Sequence, residues 1–89
     1  MSTKRKPKQT TTYNGWKNYE TWNVALWIGN DEGLYQMAKE LRHYGYKRFA
    51  EDMKEIGIHS QIAFQTPDGV AWNDSGLDIA ALDEMMEEL

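Results

Sequence analysis

The sequence predicts a mainly α-helical domain, a compact bundle of about four helices with a short β-hairpin before the last. Three observations point there. Apolar residues recur at the i, i+3, i+4, i+7 spacing of helix faces in several windows. Asn or Asp stands ahead of three such windows and glycine closes three, which is the chemistry of helix caps. At 89 residues, 40% hydrophobic and 12% aromatic, the chain has enough apolar surface for one core and too little for two.

The first 12 residues, MSTKRKPKQTTT, carry no apolar side chain after Met1 and read as a flexible basic arm, ahead of a single helical domain over residues 13–89. Asn14-Gly15 is a turn signal, followed at once by Trp16. Asn18 is the expected N-cap of a first helix from Tyr19 to about Ile28, with Glu20 in the first turn, where a carboxylate complements the helix dipole. On a helical wheel Tyr19, Trp22, Ala25 and Leu26 share one face, while Val24 and Ile28 lie on the other side. A helix apolar nearly all round belongs at the centre of a fold, so the bundle is expected to form around this tryptophan-rich segment, with Trp22 in the core. Glu20, Asn23 and the edge of Trp27 make its one polar stripe.

Gly29 is expected to stop the first helix, and Asn30 or Asp31 to cap a second, amphipathic one. Leu34, Met37, Ala38 and Leu41 line that helix, which runs to about Tyr44 and is stopped by Gly45. A third helix is expected from Tyr46 to about Ile56, with Phe49, Ala50, Met53 and Ile56 inward. Between Ile58 and Trp72, the turn signal Pro67-Asp68-Gly69 and the alternation around Val70 and Trp72 fit a short hairpin, and an irregular loop anchored by Trp72 fits the same residues. In the last helix Leu77 and Leu82 flank Asp78 as a hydrophobic staple flanks an N-cap, and Ile79, Leu82, Met86 and Leu89 form the apolar stripe.

Composition narrows the chemistry. The chain has no cysteine, which excludes disulfides, thiolate metal sites and thiol catalysis. His43 and His59 stand in no motif, and hydroxyls in the body are sparse. Asp31, Glu32, Asp74 and Asp78 lack the spacing of a calcium loop and read as helix caps and first-turn carboxylates. No glycine-rich phosphate loop occurs. The expectation is therefore a protein that is not an enzyme and takes no cofactor or metal. No apolar run approaches the roughly 20 residues of a membrane span, and the N-terminus lacks a signal-peptide core, so no membrane association and a cytoplasmic location are expected.

Charge divides the chain. Lys4, Arg5, Lys6 and Lys8 lie in the arm, so from Tyr13 onward six basic residues face all 14 acidic ones, a net charge of −8. An acidic body attracts a positively charged protein surface and repels a polyanion. Partner contacts are accordingly expected from Glu20, Asn23 and Trp27 on the first helix, and from Asp83, Glu84, Glu87 and Glu88 on the last. The alternative is nucleic-acid contact through Lys4, Arg5, Lys6 and Lys8 together with Trp16, weak and salt-sensitive because the arm neutralises about four phosphates.

The stretches NGWKNYETWNVALWIGNDEGLY, TPDGVAWND and LDIAALDEMMEEL resemble a family of small uncharacterised proteins encoded by bacteriophages, plasmids and some prokaryotic genomes. The resemblance covers most of the chain after the arm. It implies a setting in a phage or other mobile element, and no mechanism, because the family is a domain of unknown function. Together with the acidic body it leads to the expectation of a non-catalytic protein-binding module in the host cytoplasm. One form of it is an inhibitor of a host defence protein whose carboxylates stand in for phosphates.

Overall fold

The computed structural model describes residues 13–56 and 64–89. The expected arm and residues 57–63, which include the opening of the expected hairpin, lie outside the described residues. Four helices are described: α1 Tyr19–Asn30, α2 Glu32–Glu40, α3 Tyr46–Ile56 and α4 Ile79–Glu87. α1 packs mainly on α2 and α3 on α4, while α4 also touches α1 and α2, so the last element closes the bundle.

The caps follow from local chemistry. Asn18 accepts a hydrogen bond from the Thr21 N–H, Asp31 from Leu34 and Asp78 from Ala81, each satisfying a donor that the first helical turn leaves open. Gly29 does not stop α1, which runs two residues past Ile28; the single extended residue Asp31 ends α1 and caps α2. α2 ends at Glu40, four residues before Tyr44, because the chain tightens into turns closed by Tyr44 N–H to Leu41 C=O, 2.8 Å, and reaches Gly45 at φ +96°. Of the expected hairpin, the described residues from Phe64 to Trp72 hold an isolated antiparallel bridge, Gln65 to Ala71, around a turn closed by Thr66 N–H to Val70 C=O at 2.8 Å.

The core is not built around the first helix's tryptophans. Its largest fully buried side chains are Trp72, Tyr46 and Phe49. Phe49 meets Trp72 edge-on at 5.7 Å, and the Tyr46 hydroxyl donates to the Trp72 carbonyl. α1 contributes Val24, Ala25 and Ile28, with Thr21 and Asn23 buried beside them. Trp22 and Leu26, expected inside, are half-buried and stand outside the core cluster. Thr21, Val24, Ala25 and Ile28 form an alternative stripe at i, i+3, i+4 and i+7, and these compact side chains let α2 and α4 approach closely.

Two helix starts are tied together. The Asn18 side-chain amide donates to the Gly76 carbonyl at 2.7 Å, and the Asp78 N–H donates to the buried Thr21 hydroxyl at 3.0 Å. That hydroxyl donates in turn to Asn18 Oδ1 at 2.6 Å. The N-termini of α1 and α4 therefore meet, which fixes which ends of the bundle carry which side chains.

Candidate functional site

The first half of α1 presents rings to the outside. Tyr13 is held against it by a tight turn in which Tyr13 and Trp16 exchange backbone hydrogen bonds of 3.0 and 2.8 Å, with Asn14 and Gly15 both at positive φ. Both central residues of a two-residue I′ hairpin turn need that conformation, which is why Asn-Gly suits the position. Tyr13 lies 5.4 Å from Tyr19 edge-on and 5.0 Å from Trp22, and Tyr19 lies 5.6 Å from Trp22, centroid to centroid. Tyr13 and Tyr19 remain 38% and 36% exposed, so this trio packs on itself and keeps a wet side. Trp16 is instead partly buried against the core.

On another side of α1 lies a polar knot. Asn23 was expected on the surface as a partner contact and is fully buried. Its side-chain amide donates to Asp68 at 2.8 Å and makes a longer contact to the Tyr19 hydroxyl at 3.4 Å, while its Oδ1 accepts from the Thr66 hydroxyl at 2.7 Å. A buried amide demands such partners, and the TPDG turn supplies them. The indole N–H of Trp27 donates to the same Asp68 oxygen at 2.9 Å, so Trp27 is partly buried and anchored. Hydrogen bonds from Asn23 first and Trp27 second favour the ionised Asp68 carboxylate and lower its pKa. Of the expected contacts on α1, Glu20 alone, half-exposed in the first turn, has no hydrogen bond or ion pair of its side chain among the described residues.

The chain matches a family of unknown function, DUF7249, over residues 9–89. It belongs to that family. No protein of curated function and no solved structure matches it.

In this DUF7249 member the expected acidic contacts on α4 separate. Asp83 faces α3 and accepts from the Tyr46 N–H at 2.7 Å, so its carboxylate is committed to the fold rather than offered to a partner. Glu84, Glu87 and Glu88 are exposed, and Glu84 and Glu87 have no ion pair among the described residues. Lys4, Arg5, Lys6 and Lys8 lie outside the described residues. His43 is exposed after α2; His59 also lies outside them. Among the described residues no three His, Asp or Glu side chains gather as a metal site, and no helix is long and apolar enough to cross a membrane.

The sequence reading missed the ring trio and the Asp68 hub. The trio was legible in part, since Asn14-Gly15 between Tyr13 and Trp16 is the strongest short hairpin signal and predicts their pairing. Asp68 gave no signal beyond its turn, because its donors lie 45 and 41 residues away.

Proposed function

We propose that this protein is a non-catalytic binding module of a phage or other mobile element, which docks on a basic surface of a host protein and blocks it. The observation that carries this reading is the placement of Glu84 and Glu87, exposed and without ion pairs among the described residues, in the C-terminal half of α4. Carboxylates at that end oppose the helix dipole, and α4 has no basic residue in its last turn. A cationic partner relieves that opposition, and the net charge of −8 from Tyr13 onward draws such a partner in. A host protein that handles nucleic acid has the required surface, with the carboxylates in the place of phosphates, and the host cytoplasm is where the two meet.

The test is affinity capture from host lysate with the wild-type chain and with the double reversal Glu84→Lys, Glu87→Lys, read by mass spectrometry. A protein enriched by the wild type, lost with the reversal and released by raised salt is the expected result. Equal capture by both chains, or no enrichment by either, would sink the reading.

A further inference from the structure

We propose that the cationic turn between α2 and α3 and the acidic end of α4 pair with each other across two copies of this chain, forming a two-fold dimer anchored on Tyr44.

The turn is a cationic stretch in an acidic body. Residues 39–48 hold Lys39, Arg42, Lys47 and Arg48 against Glu40, a net charge of +3 with His43 neutral, where the chain from Tyr13 onward stands at −8. Residues 79–89 hold four acidic residues and no basic one. Lys47, Glu84 and Glu87 are exposed, and none of them has an ion pair among the described residues. Arg48 has one, a surface pair with Asp52 at 3.2 Å. Charge of both signs is therefore left over on one molecule.

The two groups lie side by side. Asp83 accepts the Tyr46 N–H at 2.7 Å, which joins the middle of α4 to the first residue of α3. Lys47 and Arg48 follow Tyr46 directly, and Glu87 stands one helical turn beyond Asp83 on the same side of α4. Glu84 and Glu87 are thus within about 6 Å of Asp83 along the helix axis. A surface with opposite charges on either side of one seam is self-complementary. A two-fold axis through the seam lays each cationic turn on the other copy's carboxylates, so that every attraction occurs twice.

Charge steers and orients such a contact, but exposed ion pairs hold little by themselves. Tyr44 supplies the anchor. At 66% it is the most exposed large hydrophobic side chain among the described residues, and it adjoins Gly45, which lies against Asp83. Its place is fixed: the N–H groups of Tyr44 and Gly45 both donate to the Leu41 carbonyl, at 2.8 and 3.2 Å, and the Arg48 guanidinium lies 5.1 Å from the ring centroid. A rigidly held ring beside an arginine is the kind of group that dominates interfaces.

The mixture of signs selects the occupant. A polyanion that reached Lys47 and Arg48 would meet Glu84 and Glu87 beside them, and a polycation would meet the reverse. A second copy of this chain carries both signs in the matching arrangement. The pairing needs no host protein, so it stands or falls apart from the docking proposed above. On that docking reading, the dimer also covers Glu84 and Glu87, and its separation exposes them.

The experiment is sedimentation velocity of the full chain over a concentration series, at about 0.05 M and about 0.5 M salt. A dimer that weakens as salt rises is expected, because added ions screen the pairing. Lys47→Glu with Arg48→Glu, and separately Glu84→Lys with Glu87→Lys, are each expected to weaken it more than about a hundredfold, since like charges then face each other in both halves of the interface. Each reversal complements the dipole of its own helix, so neither endangers the fold, and circular dichroism checks this. An equimolar mixture of the two double variants is expected to dimerise again, because their reversed groups face each other with opposite signs. Tyr44→Ala is expected to weaken the dimer about tenfold, and Tyr19→Ala, an exposed ring elsewhere, to change nothing. A wild-type chain that stays monomeric up to about 1 mM overturns the proposal. So does a dimer that survives both reversals or is indifferent to salt, and so does a mixture of the variants that stays monomeric.

Discussion

Asp83 on α4 caps α3 from 37 residues away, its carboxylate accepting the Tyr46 N–H at 2.7 Å. Gly45, just before that helix, has φ +96°, and a Cβ there would stand 3.3 Å from the same Asp83 oxygen. One contact thus sets the start of α3, the approach of α4 and the need for glycine between α2 and α3.

Asp83→Ala is expected to cost about 1 to 2 kcal/mol in urea unfolding, the range for losing an N-cap acceptor. Asp83→Asn, which keeps an acceptor, should cost less. Gly45→Ala should also destabilise, through its positive φ and the tight approach to Asp83. A wild-type midpoint for Asp83→Ala would mean that the cap adds nothing.

Asn23→Ala is expected to cost about 2 kcal/mol or more, because it strands the Thr66 hydroxyl without its acceptor and removes a donor from Asp68. A polar residue standing on the surface would cost under about 0.5 kcal/mol. The urea midpoint distinguishes an interior anchor from a contact residue.

Asp68 sets a pH dependence. Its folded pKa lies below the ordinary value of 3.8, so the unfolded chain takes up the proton first on acidification. The stability it contributes is present above that ordinary value and is lost as pH falls through the lower, folded one. Urea midpoints between pH 6 and pH 2 should therefore fall less steeply at the acid end for Asp68→Asn than for the wild type. Identical acid limbs would show that the Asn23 and Trp27 hydrogen bonds do not favour the ionised form.

The tryptophans should divide by role. Trp72→Ala empties the centre of the core and is expected to cost about 3 to 5 kcal/mol, enough to unfold much of a domain this small. Trp22→Ala, outside the core cluster, should leave the circular dichroism spectrum and cooperative unfolding intact. Equal losses from the two would return Trp22 to the core.

Glu87→Lys replaces a carboxylate that opposes the α4 dipole with a cation that complements it, and is expected to raise stability by about 0.5 kcal/mol. If the acidic end is a docking face, the same substitution weakens capture of the partner. Stability and binding then move in opposite directions, which a solvated helix face with no partner would not produce.

Much of this fold was legible because its punctuation is local. Asn18, Asp31 and Asp78 bind backbone groups three residues away, and α3 runs from Tyr46 to Ile56 as its spacing predicts. Helix existence and order, and the N-terminal caps of α1, α2 and α4, depend on neighbours in sequence, and a sequence displays those directly. α1 shows where that ends. It carries two apolar stripes, one through Tyr19, Trp22 and Leu26 and one through Thr21, Val24, Ala25 and Ile28, and nothing within the helix chooses between them.

The sequence by itself determined the helical elements, the N-caps of α1, α2 and α4 and the acidic balance of the body, since each follows from residue type and short-range spacing. Only the tertiary structure decided that the small stripe of α1 turns inward, that Trp72 fills the centre, that Asn23 is buried on Asp68 and Thr66, and that Asp83 caps α3. Those outcomes depend on volumes and hydrogen-bond partners brought together from tens of residues apart, and packing selects among faces that local chemistry leaves equivalent.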